Sequence, residues 1–101
     1  MSTVRGELRA SCGYTWALQG VHATRAPLKR RNAKCELWLQ RFAEPLAALA
    51  HRAGGRDQRP LLAAAWRALV QSHFHDAIGG CCADPVAAEV GTRLTAVEAT
   101  A

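Results

Sequence analysis

Apolar residues recur along this chain in three stripes at helical spacing. Across 27–52, Leu28, Cys35, Trp38, Leu39, Phe42, Leu46 and Leu49 follow three- and four-residue steps that place one face against a core. Lys29, Arg30, Lys34 and Arg41 can take the opposite side, and Pro27 suits the first turn. Pro45 lies inside this pattern without a backbone donor, which predicts a kink or break near Arg41. Ala53, Gly54, Gly55 and Arg56 form the stop. Asp57 then reads as a cap and Pro60 as a first-turn residue for a second helix, whose inner face is Leu62, Ala65, Trp66, Leu69 and Val70. That helix delivers His73 and His75 to its C-terminal end, and a loop over 76–83 follows. Asp84 and Pro85 repeat the cap-and-proline start, with Val86, Val90, Leu94 and Val97 on the stripe of a third helix. Short joints between three helices predict an all-α fold, a small three-helix bundle over 27–101. Residues 1–26 carry spaced glycines (Gly6, Gly13, Gly20) and no sustained alternation, so they read as an irregular segment preceding the bundle.

Composition narrows the class. With 101 residues the chain is one small domain or part of a larger one. A 50% hydrophobic content argues against disorder, but alanine supplies much of it, so a free-standing core is marginal. Thirteen Lys and Arg against eight Asp and Glu leave a charge of +5. The excess gathers in Lys29, Arg30, Arg31 and Lys34, a run that reads as a solvated helix face or a phosphate-binding one. Cys12, Cys35, Cys81 and Cys82 are too few and too oddly placed for a disulfide scaffold, which fits a reducing cytoplasm. No secretory leader follows Met1, and no apolar stretch is long enough to span a membrane.

The chemistry concentrates in 71–82, Q-S-H-F-H-D-A-I-G-G-C-C. His75 can ligate zinc, and the neighbouring Asp76 can ligate, orient a ligand or accept a hydrogen bond from a hydroxyl. The plainer reading is a helix end where His meets the dipole and Asp turns the chain. His73 and His75 diverge on a helix and converge on one metal only in an extended loop. The spacing H-x-H-x5-C-C, ending in Cys81 and Cys82, matches no common structural zinc pattern. Trp16, Trp38 and Trp66 read as core rather than as sugar platforms. Arg25 can clamp an anion, cap a helix or form a surface ion pair. No phosphate-binding glycine loop or nucleophile elbow is present.

Four ordered segments add specificity: G-E-L-R at residues 6–9, Q-G-V-H-A-T-R-A-P-L-K-R-R-N at 19–32, A-E-P-L at 43–46 and S-H-F-H-D-A-I-G-G-C at 72–81. Together they resemble the central region of glycoside hydrolase family 38, the α-mannosidases. There a G-x-x-[ST]-[ST]-R-x-x-x-K-R-x-N motif opens a helical bundle, and a H-D-[AS]-I-[GT]-G loop follows the next long helix. Ala23 departs mildly from that pattern.

The resemblance implies a retaining, zinc-dependent α-mannosidase acting on terminal α-mannosides. His75 matches the histidine that completes the Zn2+ site, and Asp76 the adjacent carboxylate that contacts the same sugar. It implies that the remaining zinc ligands, the nucleophile and the acid/base belong to a large catalytic domain, and that a β-rich region normally follows. Residues 1–26 would then be the tail of the catalytic domain and 27–101 the middle domain. The expectation is a fragment, inactive alone, with mannoside as substrate of the complete enzyme and with neither nucleic acid nor membrane as partner. The alternative is a small basic helical module that binds nucleic acid through Lys29, Arg30, Arg31, Lys34 and Arg41, or metal through His73, His75, Cys81 and Cys82.

Overall fold

A computed structural model describes residues 2, 3, 5 and 20–101. The irregular segment expected over 1–26 therefore lies largely outside the described residues, as do Cys12 and Trp16. From Gly20 onward a turn leads into α1 (Ala26–Trp38), a five-residue π-helical turn (Leu39–Ala43) and α2 (Glu44–Arg52). Next come α3 (Arg59–Gln71), the short α4 (His75–Gly79) and α5 (Asp84–Thr100). The described residues are all-α, with no strand among them.

The expected disturbance before Pro45 takes the form of one wide turn. Pro45 has no N–H to offer the carbonyl of Arg41, and the Glu44 N–H bonds back to Leu39 O, five residues away. Helix α1 thus runs into α2 without a break. A π turn shifts the inward face by about one residue relative to an unbroken α-helix. The core-side positions accordingly pass from Cys35 and Leu39 to the half-buried Ala43 and Ala47. Phe42, Leu46 and Leu49, expected on the buried stripe, are 54%, 62% and 64% exposed instead.

The core sits where α3 and α5 pack along each other and α1 closes over α5. Cys35, Leu39, Ala65, Leu69, Ala77, Val90, Leu94 and Val97 form one buried cluster, flanked by Leu28, Leu62 and Trp66. Complete burial of Leu39, Leu69 and Leu94 contributes roughly 1.5–3 kcal/mol for each side chain. Two valines fall outside the core. Val70 and Val86 are 58% and 42% exposed, and Ala87 takes the inward position expected of Val86.

Polar contacts fix the register of the helices. Arg31 on α1 donates to both carboxylate oxygens of Glu98 on α5 (3.1 and 2.8 Å) and to Thr95 Oγ1 (2.8 Å). That pairing holds the Glu98 carboxyl below its ordinary range and raises the guanidinium. Trp66 Nε1 on α3 donates to Glu44 Oε1 on α2 at 2.8 Å.

Helix starts differ from the simple cap-and-proline expectation. The Asp57 carboxylate accepts from the Arg59 backbone N–H at 2.9 Å and pairs with the Arg59 guanidinium, which lowers its pKa to about 2. Asp84 does not cap α5. Ala83 precedes the helix without a side-chain cap, and the Asp84 carboxylate is taken by Arg25.

Candidate functional site

Helix α3 ends at Gln71, so both histidines lie beyond it. The Ser72 hydroxyl donates to Ala68 O (3.2 Å), and the extended backbone of Phe74 (φ −52°, ψ 137°) redirects the chain into α4. His75 and Asp76 are the first two residues of that helix, correcting the expectation of a loop from Asp76 onward. Both side chains are exposed. The His75 imidazole has no hydrogen-bond or ion-pair partner among the described residues.

Asp76 is fixed mainly through its backbone. Its carbonyl accepts from the N–H groups of Gly80 and Cys82, both at 3.1 Å, which curls the segment back beneath it. The Cys81 thiol lies 3.4 Å from Asp76 Oδ1 and donates to it. That contact, with a smaller effect of burial, pushes the thiol pKa up.

This curl is clamped from α1. Arg25 Nε donates to Gly80 O at 3.0 Å, and Nη2 donates to Cys82 O at 2.9 Å and to Asp84 Oδ1 at 2.7 Å. The Asp84 contact raises the guanidinium pKa, against a smaller lowering by burial. Lys29 Nζ donates to Thr24 O and, at 3.2 Å, to Gly79 O. Only one of the two glycines is demanded by geometry. A Cβ on Gly80 (φ +85°) would sit 2.9 Å from Thr24 Cγ2, whereas one on Gly79 meets nothing within 4 Å.

His73 is turned the other way, onto α1. Its Nε2 lies 2.9 Å from Asn32 Oδ1 and 3.1 Å from Glu36 Oε1. Both are acceptors, so this nitrogen carries its proton and donates, leaving no lone pair there for a metal. Asn32 is buried and its amide also donates to Glu36 Oε1 at 3.0 Å. The set His73, His75, Cys81 and Cys82 is therefore not assembled. No group of three or more potential metal ligands is found among the described residues.

An open groove of ≈ 890 Å³ runs beside Asp76 and Cys81, walled by Val70, Phe74 and Val86 and edged by Arg93. Two of the apolar residues displaced from the expected stripes, Val70 and Val86, thus lie beside Asp76. The basic run, by contrast, is largely used within the fold. Lys29 and Arg31 are bonded as described, and the Lys34 ammonium lies 4.2 Å from the centroid of the Trp38 ring.

A family model described as "Alpha mannosidase middle domain" matches residues 16–101. The chain belongs to this family of glycoside hydrolase domains. The middle domain is also 33% identical over 103 residues to a protein of Halalkalibacterium halodurans named "Putative mannosylglycerate hydrolase". That match takes in 100% of this chain but only 11% of the relative's length. No solved structure matches the chain. Among the described residues, no helix of the middle domain is long and apolar enough to cross a membrane.

The positions that the sequence singled out thus divide. His75 and Asp76 share the start of one short helix and face solvent, whereas His73 is a tether between helices. Arg25 and Lys29 emerge as the residues that hold the pair's backbone. Their signal was present in the R-x-x-x-K spacing at 25–29, which on a helix entry puts both side chains on one side.

Proposed function

We propose that the chain is the middle part of a retaining, zinc-dependent enzyme that hydrolyses terminal α-mannosides, with His75 as one zinc ligand and Asp76 as a carboxylate for the same sugar. One observation carries this reading: the His75–Asp76 pair stands exposed at the start of α4, on a backbone clamped by Arg25 and Lys29. A buried, internally satisfied pair would have made it untenable.

The donor set fits zinc as a part of a site. One unpartnered imidazole and one adjacent carboxylate suit the ion, but four-coordination requires ligands from outside this chain. Zinc in such a position polarises sugar hydroxyls and favours a ring geometry close to an oxocarbenium-like transition state. The chain's own residues orient and bind. The Cys81 thiol occupies Asp76 Oδ1, which leaves Oδ2 free to accept from a sugar hydroxyl. The paired carboxylates that glycoside cleavage needs belong to the remainder of the enzyme. The natural partners in this reading are a mannoside and the catalytic and β-rich parts of the complete protein. A basic nucleic-acid module is the poorer reading, because Lys29, Arg31 and Lys34 already have partners in the fold.

The direct test is a hybrid in which this chain replaces the matching segment of the Halalkalibacterium halodurans relative. The hybrid is expected to bind zinc and to hydrolyse mannosylglycerate or an aryl α-mannoside. His75→Ala should lose zinc, and Asp76→Asn should lose hydrolysis while keeping the metal. Full zinc occupancy and undiminished hydrolysis in the His75→Ala hybrid would defeat the proposal.

A further inference from the structure

We propose that Arg25 is a positioning residue for the His75–Asp76 pair, acting through the carbonyls of Gly80 and Cys82. The inference rests on the glycosidase reading above and deepens it. The guanidinium fork grips Gly80 O and Cys82 O at 3.0 and 2.9 Å. The N–H groups of those same two residues converge on Asp76 O, both at 3.1 Å. Arg25 and Asp76 are therefore joined by two parallel relays, each of a single residue. Slack in the Arg25 contacts passes directly to the carbonyl of Asp76, the second residue of α4, whose bond from the Gly80 N–H closes that short helix.

The backbone of Arg25 supports a dedicated role. It is the only non-glycine with positive φ among the described residues, at φ 48° and ψ 39°. Cβ crowding disfavours that left-handed conformation for any L-residue. No contact of its own side chain with α1 relieves it, since the residue makes no side-chain cap there. What the conformation achieves is to aim the guanidinium away from α1 and across 55 residues of sequence to the curl after α4. Arginine suits this task and lysine does not, because two carbonyls and a carboxylate have to be met from one planar fork. Nε serves Gly80 O alone, Nη2 serves both Cys82 O and Asp84 Oδ1, and the Asp84 side chain is 92% accessible, so solvent weakens its share. Positioning therefore depends on the carbonyls, with Asp84 an accessory.

Hydrogen exchange at the amides of Gly80 and Cys82 in the chain itself reads the relay directly. Arg25→Lys and Arg25→Ala are expected to speed exchange at both amides about tenfold, while core amides such as those of Leu69 and Leu94 stay protected. Asp84→Asn should leave both amides near the native rate. Unchanged exchange in Arg25→Lys, or an Asp84→Asn variant as fast as Arg25→Ala, would overturn the assignment. Arg25→Gly relieves the backbone while removing the fork, so it keeps the test valid if the alanine variant folds poorly. It should match Arg25→Lys in exchange.

In the hybrid enzyme, Arg25→Lys should lower kcat/KM for the α-mannoside about tenfold with its melting temperature little changed. Native kcat/KM in Arg25→Lys would overturn the inference and leave the glycosidase reading standing. A hybrid inactive with the unmodified chain would instead sink that reading and the catalytic part of this inference with it. Exchange would still decide whether Arg25 holds the curl.

Discussion

Gly79 and Gly80 stand side by side in one motif, yet alanine should act on them in opposite directions. At Gly80 the new Cβ meets Thr24 Cγ2 at 2.9 Å, Thr24 O at 3.1 Å and Lys29 Nζ at 3.2 Å. Thr24 O is backbone just ahead of the strained Arg25 and cannot yield cheaply. The left-handed φ of +85° adds about 1–2 kcal/mol for an L-residue, and overpacking adds about 1–3 kcal/mol. A total of about 2–5 kcal/mol is a large share of the 5–15 kcal/mol typical of a whole domain. It corresponds to a fall in melting temperature on the order of 10–40 °C for a chain of this size. Gly79→Ala meets nothing within 4 Å and lies in α4, where alanine is favoured over glycine by up to about 1 kcal/mol. It should leave the melting temperature unchanged or raise it by a few degrees. Thermal and urea unfolding followed by circular dichroism would measure both variants. If Gly80→Ala melts within a degree or two of Gly79→Ala, the packing of the curl against Thr24 and Lys29 is wrong.

Other expectations follow from the same contacts. Asn32→Ala removes one of the two acceptors of His73 and a buried amide, and should cost about 1–3 kcal/mol in urea unfolding. Because Arg31 lowers the Glu98 carboxyl pKa, the pair contributes stability above the ordinary carboxylate range near ~4.3 and loses it as pH falls through the lowered value. Glu98→Gln should flatten that acid limb while lowering stability at neutral pH by up to about 1 kcal/mol, and an unaltered limb would refute the pairing. Burial pushes the Cys35 thiol up, and the side chain has no exposure, so alkylation of the native chain followed by peptide mapping should label Cys81 and spare Cys35.

Much of the fold was legible in the stripes because they are built from large side chains at strict spacing. Cys35, Leu39, Leu69, Val90, Leu94 and Val97 all lie where helical periodicity puts them. The errors have local causes. Pro45 marked the disturbance, but sequence alone does not say whether a helix breaks or widens at a missing donor. The widened turn moved the inward face from Phe42 and Leu46 to Ala43 and Ala47, small residues that carry little hydrophobic signal. Val70 and Val86 looked like core because an apolar side chain beside a groove is indistinguishable, in sequence, from one beneath a helix. At the candidate site, the H-D pair was visible as chemistry. Arg25 remained ambiguous because its partners are mostly main-chain carbonyls more than fifty residues away, and carbonyls leave no mark on side-chain patterns.

The first turns of α1 hold a further consequence, one of folding order. Arg25, Lys29, Arg31 and Asn32 reach partners 55, 50, 67 and 41 residues along the chain, respectively. Each of those contacts requires α1 to close a long loop onto a distant segment, whereas α3 and α5 are near neighbours in sequence that share the most extensive packing. Closing the shorter loop first is entropically cheaper. The helical hairpin of α3 and α5 is thus expected to form early and α1 to dock late. The curl that presents His75 and Asp76 acquires its final shape only in that last step.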